Sequence, residues 1–445
     1  MIFSKPVYKT SEVFGISRDL PLNYVTRQDV DVSLIESLTR DKHLVIYGSS
    51  KQGKTSLRKH CLQENDYIVV QCSNKWSLAE LHAAILKQAG YEVIQSTTRT
   101  VTGKNRILAK LAATVWGSGM EVEGEKEDER SSSVTKQSLE LDPEDVNDII
   151  RALNGFKKIL VLEDFHYLSI DTQKDFSVAL KAFHEKSDLC FMIVGVWLEE
   201  GRLTVYNGDL TGRVVAINAD TWKKEELEEV ISTGEDLLNI KFDNNFKIDL
   251  LGECFESVYF VQEVCYKCCK FSGIHETQKN KQEIGGRRDA KAFIQEVVEE
   301  QKGRYVSFIS QFSAGFQDTT LEMYKWLLLP ILISDVEHLE EGLRLSEIRK
   351  ILQANHPMKK DLNVGNITQA LQSAASLQVK KDIKPIILDY DQTNTKLNVV
   401  DRGFLIWLDN QDRDGLLELA DLPESSEIIN PFKEQQLTIQ MQADD

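Results

Sequence analysis

The amino-acid sequence predicts an α/β protein: a parallel sheet, then a helical region, then a small unit of helices and a hairpin. Short apolar runs alternate with helical segments in the first half of the chain, as in a parallel sheet with its crossovers. A glycine-rich loop stands between the first of these runs and the helix that follows it. After about residue 222 the pattern becomes almost wholly helical.

Length and composition narrow the class of protein. The 445 residues are 42% apolar and 28% charged, as in a folded globular protein. Seven cysteines are too few for a disulfide-held fold, and a net charge of −17 argues against a surface that coats nucleic acid. The longest apolar run, Trp326–Ile333, is too short to cross a membrane, and no signal peptide is visible. We therefore expect a cytoplasmic protein without a membrane partner.

The first 222 residues contain a lead-in and the predicted sheet. Residues 1–42 form the lead-in, in which Val32–Leu38 predicts an amphipathic helix, and residues 43–222 form the core. The predicted strands of the core are the short apolar runs Leu44–Tyr47, Tyr67–Cys72, Phe156–Leu162, Cys190–Trp197 and Val214–Ile217. Segment 96–140 interrupts the core, and its acidic run Glu121–Glu129 indicates an exposed, partly disordered insertion. A hairpin on an oligomer or partner surface is the alternative.

The rest of the chain divides into three parts. Residues 223–317 are predicted to be helical, with helices over Lys223–Leu238 and Phe246–Phe271 and a loop over Glu276–Arg288. Residues 318–412 show the order of a winged helix: helices Leu321–Ile333, Leu345–Ala354 and Asn366–Leu377, then extended runs Ile386–Tyr390 and Lys396–Val400. Residues 413–445 are polar and predict a flexible tail.

The sequence GSSKQGKT, residues 48–55, matches G-x-x-x-x-G-K-[ST] at every fixed position. In this motif backbone N–H groups and a helix N-terminus surround phosphate oxygens, the lysine reaches the β- and γ-phosphates, and the hydroxyl binds Mg²⁺. The predicted nucleotide-binding residues of the loop are Gly48, Ser49, Ser50, Lys51, Gln52, Gly53, Lys54, Thr55 and Ser56.

A pair of acids follows the third predicted strand, where phosphate-loop proteins place a carboxylate for Mg²⁺ and another for the attacking water. Glu163 and Asp164 stand in the reverse of the usual Asp-Glu order, so the two roles stay unassigned between them. Thr55, Glu163 and Asp164 are the predicted Mg²⁺ ligands, and Lys54 with the two acids forms the predicted catalytic set. The guanine-reading pattern Asn-Lys-x-Asp is incomplete at residues 74–77, which favours ATP.

These residues carry a family resemblance. The sequence EDFHYL, residues 163–168, resembles the E-D-L-H-W stretch of the STAND-type signalling ATPases, within the wider AAA+ group, and suggests a bacterial protein. Tyr24–Arg27 is similar to the arginine-bearing N-terminal motif of STAND and Orc/Cdc6-like ATPases, and Val258–Glu263 resembles the family's lid helix. The resemblance spans roughly residues 20–400. It implies a P-loop NTPase sheet, a helical lid, a C-terminal winged helix and nucleotide-controlled assembly.

The resemblance also implies roles for two arginines. Arg27 would contact the nucleotide. Arg213, just before the fifth predicted strand, matches the arginine that reaches a neighbour's γ-phosphate in AAA+ proteins, and it would be the fourth catalytic residue. Such a role requires a homo-oligomer; a plain surface arginine is the alternative. The run Phe191–Trp197 lacks the family's polar sensor residue, and no lid arginine stands out. We therefore expect slow hydrolysis and a switch coupled to a protein partner or effector.

Two other functions stay open. Residues 344–384 hold eight basic and three acidic side chains, which permits a DNA-binding ATPase of the origin-recognition or loader type, yet Asn366–Leu377 has no Lys or Arg. Family analogy alone suggests the ATPase component of a bacterial antiviral system. His166 could contact phosphate or water, or could be a satisfied helix-start histidine. Cys265, Cys268 and Cys269 have helical spacing that favours a buried face over a metal site.

Overall fold

The computed structural model describes residues 6–16, 18–95, 107–111, 138–220, 222–316 and 319–432. Its strands are β1 (His43–Tyr47), β2 (Tyr67–Gln71), β3 (Tyr91–Gln95), β4 (Ile107–Leu111), β5 (Ser138–Leu141), β6 (Ile159–Glu163), β7 (Phe191–Val194), β8 (Val214–Asn218), β9 (Ile240–Phe242), β10 (Gln282–Ile284), β11 (Leu343–Arg344), β12 (Leu388–Asp391) and β13 (Lys396–Val399). Its α-helices are α1 (Thr10–Val13), α2 (Ser33–Leu38), α3 (Lys54–Cys61), α4 (Leu78–Gln88), α5 (Val146–Ala152), α6 (Ile170–Lys186), α7 (Arg202–Tyr206), α8 (Lys224–Leu238), α9 (Asn244–Glu253), α10 (Val258–Phe271), α11 (Ala290–Glu299), α12 (Lys302–Ser313), α13 (Met323–Ile333), α14 (Val336–Glu341), α15 (Leu345–Asn355), α16 (Val364–Gln372), α17 (Ala374–Lys380), α18 (Arg402–Asp409) and α19 (Arg413–Leu419).

A parallel five-stranded sheet forms the centre of the core, in the order β2-β6-β7-β1-β8. The strands β7 and β1 are buried along their whole length because separate apolar cores cover both faces of the sheet. Alternate residues of β1 show this arrangement: Val45 packs in one core, while Leu44 and Ile46 pack in the other. All five predicted strands are present, and the α/β P-loop NTPase sheet is confirmed.

Part of the predicted insertion is a second sheet. Strands β3, β4 and β5 pair antiparallel in that order, and β4 with most of β5 falls inside segment 96–140. The acidic run Glu121–Glu129 and most of the segment lie outside the described residues. Its exposure and its place on an oligomer or partner surface stay predictions.

The helical region after the sheet departs from the prediction at two places. The predicted helix Phe246–Phe271 is two helices, α9 and α10, because Phe255 and Glu256 between them both have left-handed backbone angles, with φ of 49° and 52°. The predicted loop Glu276–Arg288 contains β10, which pairs in parallel with β9. The three cysteines of α10 are buried, as the helical spacing predicted.

The C-terminal unit holds the predicted helices and hairpin, with additions. The predicted third helix is split into α16 and α17 at Ser373, and β11 joins the hairpin to give a sheet in the order β11-β13-β12. The flexible-tail prediction is wrong for its first residues, because α19 lies there and buries Leu416 and Leu417. Residues 433–445 lie outside the described part. Among the described residues, no helix is long and apolar enough to cross a membrane.

Apolar packing fixes the parts relative to one another. One core runs from α1 through α8–α12 into the C-terminal helices, and Phe14 approaches Gly234 so closely that no side chain fits there. A smaller cluster of Val196, Ile386 and Val400 joins the end of β7 to the C-terminal unit. The C-terminal unit therefore lies at the carboxyl edge of the sheet, beside the phosphate loop.

Candidate nucleotide-binding site

The phosphate loop lies between β1 and α3, in the strand–loop–helix order that the motif requires. Gly48 has a φ of 146° and passes so close to the chain after β8 that a Cβ atom would lie 2.8 Å from the backbone nitrogen of Asp220. Only glycine fits at this position. The first glycine of the motif is therefore required by the neighbouring strand as well as by the turn.

Lys54 is the buried cation of the loop. Its ammonium donates to the carbonyl oxygens of Gly48 and Ser49, at 3.0 and 2.6 Å. Burial lowers the pKa of Lys54 to about 8, although Asp220 and then Glu163 act to raise it. Among the described residues no carboxylate forms an ion pair with this ammonium. A cation held only by neutral carbonyl groups is suited to bind an anion such as phosphate.

The two predicted acids stand at the carboxyl end of β6. Glu163 ends the strand and forms a buried ion pair with Arg58, 3.0 Å from Nε. Asp164 follows with a φ of 56°, and Gln71 at the end of β2 donates to its carboxylate. Burial raises the pKa of both carboxyl groups; Arg58 opposes the shift at Glu163 and Lys54 opposes it at Asp164. The structure brings both acids and Lys54 to one cavity.

That cavity has a volume of about 340 Å³. Its polar end is formed by residues 50–56, Glu163 and Asp164, while Gly48 and Ser49 lie behind this surface and hold Lys54. Its apolar end is lined by Ile16, Pro21, Tyr24, Val25, Trp222, Val230 and Val258. A cavity with one charged end and one apolar end matches the phosphates and the base of a nucleotide.

The lead-in and the lid helix close the apolar end together. The amide of Asn23 donates to the carbonyl oxygen of Val230 and to Gln262, and the Gln262 amide donates back to Asn23 at 2.8 Å. Both side chains are buried and line the cavity. The apolar end is thus built from the lead-in and from residues of α8 and α10, which lie far away in the sequence.

Arg27 lies elsewhere than the sequence predicted. Its guanidinium donates to the carbonyl oxygen of Ala219, stacks 4.2 Å from the centre of the Trp222 ring and lies beside Asp31, and it does not line the cavity. The side chain is 1% exposed. Arg27 therefore supports Trp222, which does line the cavity, and its direct contact with a nucleotide stays a prediction.

Arg213 lies at the other end of the sheet. Its carbonyl oxygen accepts a hydrogen bond from His43, the first residue of β1, whereas the phosphate loop follows the last. Its guanidinium pairs with Glu185 at 2.8 Å and also donates to the carbonyl oxygen of Asp209. Within its own chain Arg213 does not join the site.

His166 has an unpaired donor in the cavity. Its Nδ1 accepts from the backbone N–H of Val196 at 3.3 Å, and burial holds its pKa well below the usual range, so the neutral ring carries its proton on Nε2. Nε2 and the Ser49 hydroxyl are buried without a partner among the described residues. In the cavity lining, His166 Nε2 fits a phosphate oxygen, and the two acids with the Thr55 hydroxyl fit a Mg²⁺ ion.

The structure adds contacts that the sequence did not indicate. The carboxylate of Asp220 accepts from the backbone N–H of Ser49 at 2.6 Å and pairs with Arg402 at 3.1 Å. The backbone N–H of Ser50 donates to the carbonyl oxygen of Val400 at 2.8 Å. Asp220 could have been found as an acid just after the fifth predicted strand, since the carboxyl ends of parallel strands meet at one edge. Nothing local marks Val400 or Arg402.

Comparisons with known proteins give distant likenesses. No protein-family model matches the chain, and no curated protein matches it. Among solved structures, the Walker-type ATPase PABY2304 of Pyrococcus abyssi aligns over 87% of this chain and 99% of its own, with 13% identity and a TM-score of 0.46. The Orc1 protein of Aeropyrum pernix, solved in complex with DNA, covers 94% and 98% at 10% identity and a TM-score of 0.41. The Cdc6 protein of Pyrobaculum aerophilum covers 93% and 98% at 10% identity and a TM-score of 0.36.

Proposed function

We propose that this chain is an ATP-binding, slowly hydrolysing P-loop ATPase of the AAA+ type, acting as a nucleotide-controlled switch. The observation that carries the proposal is the position of the C-terminal unit. The carbonyl oxygen of Val400 accepts a hydrogen bond from the backbone N–H of Ser50, which belongs to the same loop as Lys54. Nucleotide binding and docking of the C-terminal unit therefore meet at one loop.

The contacts of the two acids support separate roles. Arg58, which holds Glu163, lies three residues after Thr55 on the same face of α3. We therefore assign Glu163 and the Thr55 hydroxyl to Mg²⁺, which would bring positive charge to the developing negative charge on the phosphates. Asp164, held by Gln71, is assigned to the attacking water, with His166 Nε2 as a neighbouring hydrogen-bond donor.

Slow hydrolysis is expected from what surrounds the acids. Glu163 is tied to Arg58, and Asp164 has a shorter side chain than the glutamate usual at its position. The end of β7 presents Gly195 and Val196, neither with a polar side chain, and a Cβ at Gly195 would collide with Trp197. The end of β7 therefore offers no polar side chain at these two positions to stabilise charge on the γ-phosphate, which should slow hydrolysis.

The C-terminal unit is held by charge as well as by Val400. Arg202, beyond the end of β7, forms a buried ion pair with Asp389 of β12. Arg402 pairs with Asp220, which contacts the loop itself. A bound γ-phosphate would add negative charge close to Asp220 and oppose this arrangement. We infer that ATP and ADP favour different positions of the C-terminal unit, and that one of them exposes a surface for a partner or a second copy of the chain.

The DNA-binding alternative has less support from the charges. Arg344 and Arg349 line a groove together with Glu340, Glu341 and Asp391, so acids offset their charge. The ammonium of Lys384 lies above the ring of Tyr167 in the core, and α16 carries no basic residue. A surface that binds the DNA backbone needs uncompensated cations. We therefore favour a protein partner or effector.

The test measures nucleotide binding and docking together. Isothermal titration with ADP and ATP plus Mg²⁺ is run on the wild type and on Lys54→Ala, and hydrogen exchange is followed in residues 396–402. We expect the wild type to bind both nucleotides and to show different exchange with each. Lys54→Ala should lose binding and all nucleotide-dependent exchange.

Lys181→Ala is the matched control, because that ammonium pairs with Asp209 on the surface at the far end of the sheet. It should behave as the wild type. Unchanged ATP affinity in Lys54→Ala would overturn the nucleotide site, and equal exchange with ADP and ATP would overturn the switch.

A further inference from the structure

Lys51 is a second cation in the phosphate loop. Its backbone has a φ of 63°, unusual for a residue with a side chain, and it lines the same cavity as Lys54. The loop motif uses the backbone at this position and leaves the side chain free to vary. The Lys51 side chain is therefore not explained by the motif.

The contacts of the Lys51 ammonium are all neutral. It lies 3.9 Å from the centre of the Tyr259 ring and donates to Gln301 Oε1 at 3.0 Å. No described carboxylate forms an ion pair with it, although the chain has 70 acidic residues against 53 basic ones. A cation–π contact and a neutral acceptor hold an ammonium less strongly than a phosphate oxygen does.

Lys51 also shares its acceptor with a second cation. Gln301 Oε1 receives Lys51 at 3.0 Å, Arg304 Nη2 at 3.1 Å and the Tyr305 hydroxyl at 3.4 Å. The hydroxyl has one proton and lies equally close to Asp401 Oδ1, so the two cations are the main donors to this one amide oxygen. One of these cations, Arg304, has a carboxylate partner in Asp401. The like charges of Lys51 and Arg304 repel each other, so an anion near the loop would draw Lys51 away.

We propose that Lys51 is a second phosphate-binding cation, which Tyr259 and Gln301 hold aside until a terminal phosphate enters the loop. The carbonyl oxygens of Gly48 and Ser49 hold the Lys54 ammonium, which the motif directs to the β- and γ-phosphates, and Lys51 lies two residues further along the same loop on the side of Tyr259 and Gln301. Its flexible four-carbon stem allows the turn. This inference rests on the proposed ATP site and adds a residue that distinguishes ATP from ADP.

The test compares the affinities of ADP and of adenylyl imidodiphosphate, a non-hydrolysable ATP analogue, both with Mg²⁺. In Lys51→Met we expect the analogue to bind about tenfold more weakly while the ADP affinity changes less than about twofold, since one charge-assisted contact is lost. Lys51→Arg should keep the wild-type ratio. Gln301→Met, which removes the acceptor, should strengthen binding of the analogue.

A purely structural role for Lys51 would weaken both ligands equally, and that result or an unchanged ratio would overturn the inference. Its failure is separable from failure of the ATP site. If Lys54→Ala loses both ligands while Lys51→Met keeps the wild-type ratio, the site stands and only the Lys51 inference falls. If the wild type binds neither ligand, the ATP site itself falls and the Lys51 inference with it.

Discussion

Among single residues, Lys54 has a pKa that both burial and phosphate binding should change. Burial lowers its pKa to about 8, because a desolvated ammonium is disfavoured, while a bound phosphate favours the charged form. The free site therefore loses its proton above about pH 8 and the occupied site does so at higher pH. Between these two values we expect the affinity for ADP to fall about tenfold for each pH unit. Titration calorimetry between pH 7 and 9.5 measures this directly.

The effect of the same proton on folding has the opposite sign. The folded chain releases it near pH 8, whereas the unfolded chain holds it to about pH 10.4, so rising pH in this window relieves a cost of folding. A fall in ADP affinity is therefore not explained by loss of the fold. An ADP affinity that stays constant to pH 9.5 would show that Lys54 does not bind the phosphates.

Residues with a local pattern could be predicted, and residues that act through distant contacts could not. Lys54, Glu163 and Asp164 were found because a loop, a strand end and their spacing mark them. The motif around Arg27 predicts contact with the nucleotide, but the position of its guanidinium depends on packing against Trp222, which is far away in the sequence. Val400 contacts the loop through a backbone carbonyl group, which no side-chain pattern can indicate.

At the scale of elements, the break between α9 and α10 places the start of the lid helix α10 in contact with the phosphate loop. The buried Gln52 side chain donates to the carbonyl oxygen of Glu256 at 3.3 Å and accepts from the backbone N–H of Val258 at 3.4 Å. Two successive left-handed residues, Phe255 and Glu256, are needed to present these groups. The apolar pattern of residues 246–271 is helical throughout, so the break was not predictable from it.

This strain gives a prediction with a definite sign. A left-handed conformation costs an L-residue about 1–2 kcal/mol, and glycine avoids that cost. We expect Glu256→Gly to raise the thermal midpoint by about 2 °C. Glu228→Gly, at an exposed position inside α8, should lower it by a similar amount, because glycine disfavours a helix interior. Differential scanning calorimetry of both variants decides; a lower midpoint for Glu256→Gly would mean that its side chain makes a stabilising contact.

At the scale of the whole molecule, three parts of the chain meet on consecutive loop residues. The backbone N–H of Ser50 donates a hydrogen bond to Val400 of the C-terminal unit, and the Lys51 ammonium donates one to Gln301, just before α12. The Gln52 amide donates a hydrogen bond to the segment that precedes the lid helix. A phosphate that moves this loop therefore acts on the lid and on the C-terminal unit together. Such coupling is what a nucleotide-controlled switch requires, and it needs no long pathway through the protein.

Arg213 is the residue whose predicted role requires an assembly of several copies of the chain. It lies at the opposite end of β1 from its own phosphate loop, so any action on a γ-phosphate must be on that of a neighbour. We expect Arg213→Ala to bind ATP as the wild type does but to hydrolyse it at least about tenfold more slowly, as when a trans arginine is lost. Mixing it with Lys54→Ala should restore part of the turnover. Lys54→Ala supplies the arginine and Arg213→Ala supplies the bound ATP, so the mixture should exceed the summed turnover of the two variants measured separately.

Phosphate release at several protein concentrations, with Lys181→Ala in place of Lys54→Ala as a further mixing partner, completes this experiment. Complementation by Lys54→Ala should grow with concentration, because it requires contact between chains. Lys181→Ala keeps both Lys54 and Arg213, so it hydrolyses ATP by itself. The turnover of Lys181→Ala measured alone is subtracted from that of its mixture with Arg213→Ala. Turnover above this value again reports an arginine supplied in trans. If mixing restores nothing and turnover per chain does not depend on concentration, Arg213 is a surface residue held by Glu185, and the switch works within a single chain.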